Sequence, residues 1–313
     1  MSMEVKTKEN SSQMSSEDCN QCHNEWSQES SNGSNDDKTK NDSNFEISSN
    51  ACTKYWNYFT KDLEEEDIVM ISLYNNVDNV LQSGPKCGLV ALLMCQSLVL
   101  NHNSYLTQED LFESAKQMGF SKTGEMFSVE NMAKLTHRLL SVETEIKVNL
   151  NERINELVSH LAKGLPVLVP YDSDANHEPT LLGGQRAHWA IILGFCIIVN
   201  KSNINNIDLC GIRDQYNHQL YHLKPKHLLT KCVLDIIDNR KYKKILVYAK
   251  QGKSKYLHIW SFNRLCQSNC NLVKTSLKLN KSDIVLPENG GIIKGLNNQC
   301  LFVTKNAIVD SRQ

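Results

Sequence analysis

The chain has 313 residues, of which 40 % are hydrophobic, and its formal net charge at pH 7 is −1. This near-neutral charge argues against a nucleic-acid-binding protein. The longest strongly apolar segment, 87–100, is shorter than the roughly 20 residues that a membrane-spanning helix needs. We therefore expect a globular protein with a sizeable core that binds neither nucleic acid nor membrane.

The eleven cysteines indicate the compartment. Their number is odd, and the N-terminus has no apolar stretch typical of a signal peptide. We therefore expect reduced thiols and a cytoplasmic protein. We expect no metal and no cofactor, because His218, His222 and His227 have no cysteine or carboxylate at a recognisable ligand spacing. A solvated loop is the prediction for these three histidines.

The first 50 residues contain 20 Ser or Asn and few large apolar side chains. Such a segment cannot bury enough surface to offset the entropy of ordering. We predict a disordered tail over 1–50 and a single folded domain over 51–313. Deleting 1–50 should then leave the melting temperature nearly unchanged.

The hydrophobic pattern changes along the folded part. Helical periodicity with capping residues dominates the first half, and runs of β-branched and aromatic residues dominate the second. Helices that precede strands indicate an α+β fold with an N-terminal helical layer and a C-terminal antiparallel sheet. The predicted helices are 87–100, 107–118, 128–140 and 151–162, and the predicted strands are 166–170, 188–194, 244–249, 256–260, 284–286 and 300–304.

Cys87 lies directly after a Gly-Pro-Lys turn and before an apolar helix. At the first turn of a helix, a cysteine meets unpaired backbone N–H groups and the positive end of the helix dipole, which favour the reactive thiolate. The usual role of a free cysteine, however, is that of a small buried hydrophobe. This segment alone supports both roles.

A nucleophilic cysteine needs a base, and His188 has the most suitable setting. It follows the glycine pair at 183–184 and opens the predicted strand 188–194. Gln82 precedes Cys87 closely enough for its side-chain amide and the Cys87 N–H to bind one oxyanion. The alternatives are a hydrogen-bonded structural histidine and a solvated glutamine.

Four segments resemble the actin maturation protease family, whose fold is similar to the papain-like, C39-type cysteine peptidases. The resemblance implies removal of an N-acetylated Met or Cys from immature actin. It does not decide whether His177 and Glu178 line the substrate cleft or only close a turn. The segments, with Gln82, are GPKCGL (84–89), YDSDANHEP (171–179), AHWA (187–190) and AKQGKS (249–254).

Papain-like enzymes place an Asn or Asp after the strand that follows the histidine strand, where it orients the imidazole. Here Gln251 stands at the end of such a strand, and Asp214 is the alternative third member. The basic segment 224–255 is the expected counter-surface for the acidic residues of an actin N-terminus. Profilin docking through polyproline is doubtful, because no proline precedes Pro85.

The same Cys/His pair could serve a different acyl-transfer enzyme. A deubiquitinase-like hydrolase and an amide transferase are the enzymatic alternatives, and a non-catalytic interaction module is the third. The sequence leaves these three open beside the aminopeptidase.

Overall fold

The computed structural model describes residues 35–60, 68–100, 106–204, 211–223 and 227–305. Within these ranges the helices are α1 (Asn35–Thr60), α2 (Cys87–Val99), α3 (Gln108–Gln117), α4 (Val129–Leu140), α5 (Ile154–Ala162), α6 (His227–Asp238), α7 (Phe262–Cys270) and α8 (Gly291–Leu296). The strands are β1 (Ile68–Tyr74), β2 (Thr144–Val148), β3 (Val167–Asp172), β4 (Ala187–Asn200), β5 (Ile212–Arg213), β6 (Leu220–His222), β7 (Tyr242–Lys250), β8 (His258–Ser261) and β9 (Gln299–Val303).

The sheet is organised around β4, its longest described strand. One edge of β4 pairs with β7 from Ile191 to Val199. The other edge pairs first with β3, as far as Ile192, and then with β1, from Gly194. The strand order is β2-β9-β3-β4-β1-β6-β5. Outside this order, β7 pairs with β4, and β8 pairs with β7. The residues of β4 before Ile191 therefore pair with β3 on one edge but do not pair with β7 on the other.

Helices cover both faces of β4, which is why nearly all of its residues are buried. Trp189 and Ile191 face the core formed with α2, α3 and α4. Ala190 and Ile192 face a second core formed with α5, α6 and α7. Because both faces are apolar, β4 is a continuous hydrophobic run rather than an alternating one.

The structure confirms the α+β class and corrects its details. Strands β1 and β2 belong to the half of the chain that was predicted to be helical, and β1 pairs with β6 in parallel. Helix α5 covers the face of the sheet opposite α2, so the helices do not form one layer. The predicted strand 284–286 is not a strand. Since all seven residues of β1 are buried, its sequence has no alternation to mark it as a strand.

The folded chain begins before the predicted boundary at Ala51. Helix α1 starts at Asn35, and Ser48 and Ser49 on it are buried. The ring of Phe45 stacks on His222 with 4.6 Å between centroids. The prediction of a disordered segment up to residue 50 is therefore wrong for the last residues of that segment, because a few contacts of α1 suffice to bury them. Residues 1–34 lie outside the described ranges.

Two deletions test this correction. Removing residues 1–50 should lower the melting temperature relative to removing 1–43, because only the longer deletion removes Phe45 and Ser48. Phe45 is half-buried, and half of the roughly 2 kcal/mol for burying a Phe side chain corresponds to about 2–4 °C in a domain of this size. Thermal unfolding followed by circular dichroism measures the difference, and Phe45→Ala in the full chain should reproduce most of it. Equal melting temperatures for the two deletions would contradict the placement of α1.

Candidate active site

Helix α2 carries Cys87 at its first residue and packs along β4. The first intrahelical bond joins the Val90 N–H to the Lys86 carbonyl at 2.9 Å, so the preceding N–H groups have no partner within the helix. Gly88 allows the close approach to β4, because a Cβ there would lie 3.0 Å from Trp189 Cδ1. The start of α2 is therefore held against the start of β4.

The electrostatic setting of Cys87 differs from the predicted one. Burial raises the pKa of Cys87 to about 11, although the N–H groups of Trp189, Gly88 and Cys87 itself lower it. The position at a helix start was predicted to favour the thiolate. Because only 8 % of the residue is exposed, loss of hydration outweighs these donors, and the resting group is the thiol.

His188 lies at the second residue of β4, and its ring is oriented by Gln251. His188 Nε2–H donates to Gln251 Oε1 at 3.1 Å. The backbone N–H of Lys253 also donates to that oxygen, at 2.6 Å, which identifies it as the acceptor atom of the amide. Nδ1 of the neutral imidazole is then free to accept a proton. Burial lowers the pKa of His188 to about 4, so the imidazole is neutral at pH 7.

The structure brings the predicted site residues together through contacts between their segments. The Trp189 N–H lowers the pKa of the Cys87 thiol, and Gly88 packs against the Trp189 ring, so the start of α2 meets the residue after His188. Among the described residues, no hydrogen bond joins the Cys87 thiol to the His188 ring. Substrate-free sites commonly show such loose contacts, which tighten when substrate binds.

Gln82 lies beside Cys87 in a loop that is anchored to the end of β7. Its backbone N–H donates to the Gly252 carbonyl at 2.7 Å, and its side-chain Nε2 donates to the Gly84 carbonyl at 2.6 Å. One N–H of the amide therefore remains available. A Cβ at Gly252 would lie 2.9 Å from Gln82 Oε1, so only glycine permits this packing. The oxyanion role of Gln82 stays a prediction that this geometry permits.

Asp214 lies away from His188 and binds a different histidine. Its Oδ2 accepts from His222 Nε2 at 2.8 Å, and its Oδ1 accepts from the N–H of Tyr216 and Asn217. His222 is buried, so the prediction of a solvated loop is wrong for this residue. The side chain of His227 lies outside the part of the chain that the structure describes.

The described residues contain no group of three or more ligands that could hold a metal. No described helix has the length and apolarity needed to cross a bilayer.

Two substitutions separate the candidates for the third member. Gln251→Ala should lower kcat about 10²-fold, because a misoriented base loses its near-attack geometry. Asp214→Ala should leave kcat unchanged and lower the free energy of unfolding by about 2 kcal/mol, because it removes the acceptor of the buried His222 Nε2–H. Steady-state kinetics and urea unfolding measure both. A loss of kcat in Asp214→Ala alone would reverse the assignment.

The structure adds two residues that the sequence did not assign to the site. His258 begins β8 and lies with its Nε2 at 3.5 Å from Gln251 Nε2. Its Nδ1 lies 3.0 Å from Glu178 Oε1. In the sequence, only Glu178 carried a signal, since it lies in the segment 171–179 and was left as a residue that lines the cleft or closes a turn. His258 carried no signal, because its partners come from distant parts of the chain.

Comparison with known proteins identifies the family. A sequence family described as "Actin maturation protease-like, C-terminal domain" matches residues 77–196, which include Gln82, Cys87 and His188. The actin maturation protease of Danio rerio is 34 % identical over 260 residues, which cover 79 % of this chain and 77 % of that protein. The chain belongs to the actin maturation protease family.

Other members of the actin maturation protease family give similar values. That of Xenopus tropicalis is 33 % identical, with 74 % of this chain and 72 % of that protein covered, and that of Drosophila melanogaster is 30 % identical, with 74 % and 70 % covered. Among solved structures, a putative C39-like peptidase from Bacillus anthracis matches with a TM-score of 0.39 and 10 % identity, over 78 % of this chain and 100 % of that one.

Proposed function

We propose that this chain is a papain-like cysteine aminopeptidase that removes the N-acetylated Met or Cys from immature actin. Membership of the actin maturation protease family supports the substrate. The observation that carries the chemistry is the placement of Cys87, at the start of α2, against the strand that holds His188 on Gln251. A thiol, a neutral base and an orienting amide are the components of acyl transfer.

In the proposed reaction, the Cys87 sulfur attacks the carbonyl carbon of the acetylated first residue while His188 Nδ1 accepts the thiol proton. The oxyanion binds the Cys87 N–H and the free N–H of Gln82. Collapse of this intermediate breaks the peptide bond, and His188 gives its proton to the departing amine of the shortened protein. Water, deprotonated by His188, then hydrolyses the thioester and releases the N-acetylated amino acid.

The basic segment 224–255 does not act as one substrate surface. Lys243 and Lys244 lie at the start of β7 and Gln251 directly follows its end, which separates them by about 23–26 Å along the strand. The first four residues of an extended substrate reach only roughly 14 Å. Lys243 and Lys244 are therefore not part of the proposed contact with these four residues, and contact of the basic segment with later substrate residues stays a prediction. Lys253 is the member of the segment whose charge acts on His188.

The proposed compartment is the cytoplasm. All eight cysteines that the structure describes are free thiols, although Cys52 and Cys196 approach to 4.0 Å between sulfurs. Free thiols are typical of a reducing compartment. Profilin is not part of the proposal, because no proline precedes Pro85.

The test incubates the purified chain with peptides of the actin N-terminal sequence that begin with acetyl-Met. Mass spectrometry should show a product shortened by acetyl-Met, and Cys87→Ala should give none. A product carrying an added amine would support the amide transferase instead. Cleavage of a ubiquitin C-terminal amide without cleavage of the actin peptide would support the deubiquitinase-like hydrolase, and turnover of neither would leave the interaction module.

A further inference from the structure

A series of buried hydrogen bonds continues beyond the His188–Gln251 pair. Gln251 is fully buried, and its Nε2 faces the Nε2 of His258, of which 7 % is exposed. The Nδ1 of His258 faces the carboxylate of Glu178, whose side chain is 34 % exposed. Four side chains from β4, the end of β7, β8 and the segment 171–179 therefore form one path from the base to the surface.

The positions of the protons along this path follow from one fixed donor. The Lys253 backbone N–H donates to Gln251 Oε1, so the other terminal atom of Gln251 is its NH₂ group. That group needs an acceptor, which makes His258 Nε2 the unprotonated nitrogen and places the His258 proton on Nδ1. Nδ1–H then donates to Glu178 Oε1. Each group thus selects the tautomer of the next.

The segment 171–179 holds Glu178 in place. Asp174 Oδ1 accepts from the backbone N–H of Asn176 at 2.7 Å and of Glu178 at 2.9 Å. The Tyr171 hydroxyl donates to the carbonyl of His177, a residue whose φ of 64° is in the left-handed region. The ring of His177 also lies parallel to that of His188, with 5.7 Å between centroids. These hydrogen bonds and the contact with His188 hold the segment 171–179 against the site, so it does more than close a turn.

We propose that His258 and Glu178 are positioning residues that hold Gln251, and through it His188, in the orientation and tautomer that the reaction needs. The proposal rests on the proposed function in taking His188 as the base. Neither residue has to touch the substrate, because both act through the amide of Gln251.

The path depends on an acceptor at His258 Nε2. An N–H at that position would face the NH₂ group of Gln251, and the amide could relieve this contact only by giving up its bonds to His188 and Lys253.

Substitutions at His258 give the sharpest test. His258→Ala should lower kcat about tenfold at neutral pH with KM unchanged, because the base is displaced but the substrate contacts remain. His258→Gln should restore most of kcat, because its carbonyl oxygen accepts from the NH₂ group of Gln251.

Substitutions at Glu178 test the second step. Glu178→Ala should lower kcat severalfold, and Glu178→Gln should stay close to wild type, because an amide oxygen still accepts from His258 Nδ1–H. The matched control is the exposed pair His137 and Glu143, with 3.8 Å between Nδ1 and Oε1. Alanine at either control position should leave kcat and its pH dependence unchanged.

Alkylation of Cys87 by iodoacetamide gives a measurement that needs no substrate. His258→Ala should slow it by a factor similar to the loss of kcat, because His188 is then less able to accept the thiol proton. If the wild type alkylates in this way but does not cleave the acetylated peptide, the proposed function fails and the positioning role stands. Failure of His258→Gln to restore kcat, or losses that only follow the melting temperature, would overturn the positioning role.

Discussion

Cys87→Ala should abolish turnover while the protein stays folded. The substitution removes the atom that attacks the substrate, and loss of a covalent nucleophile costs at least about 10³-fold in kcat. The fold should tolerate it, because the change removes a single sulfur atom at the first residue of α2. Mass spectrometry of the peptide product and the melting temperature measure the two effects.

Cys95 is the matched control, since it lies on the same helix and is fully buried. Cys95→Ala should leave kcat unchanged and lower the free energy of unfolding by about 1 kcal/mol, through the small cavity it creates. In the native protein, Cys87 should be alkylated before Cys95. An active Cys87→Ala variant, or equal alkylation rates, would show that Cys87 is a core residue.

His188→Ala should have the second-largest effect, lowering kcat by about 10²- to 10⁴-fold, the usual contribution of a positioned general base. KM should change little, because the imidazole binds the moving proton rather than the substrate's ground state. The same steady-state assay on acetylated peptides measures both. His160→Ala is the control, because that histidine is partly buried and bonds to the Pro166 carbonyl rather than to a residue of the site.

The pH dependence of the wild type should reflect two neutral groups. With the pKa of His188 near 4, the imidazole is unprotonated at higher pH, and kcat/KM falls only as the pH drops toward that value. With the pKa of Cys87 near 11, the thiol persists through neutral pH, so we expect a broad plateau rather than a narrow bell. A basic limb at pH 8–9 would instead indicate a thiolate–imidazolium pair.

The sequence by itself determined the features that depend on neighbouring residues. Pro85 before Cys87 marks a helix start, and the glycine pair before His188 marks the entry to a strand. The position of Gln251 at the end of the next strand made it a candidate for orienting the imidazole. These signals are local, because capping and backbone preferences act over a few residues. They were sufficient for the α+β class and for naming Cys87, His188 and Gln251 as candidates, but they gave no signal for His258.

Only the tertiary structure decided which of these residues contact each other and whether Cys87 is protonated. Gln251 rather than Asp214 reaches His188, because β7 lies beside β4 and Asp214 lies at the other side of the sheet, against His222. Burial, which no local pattern measures, outweighs the helix dipole and keeps Cys87 protonated. The contact between His258 and Glu178 joins segments 80 residues apart. Strand β1 was missed for the same reason: both its faces are covered by parts of the chain that a local pattern cannot see.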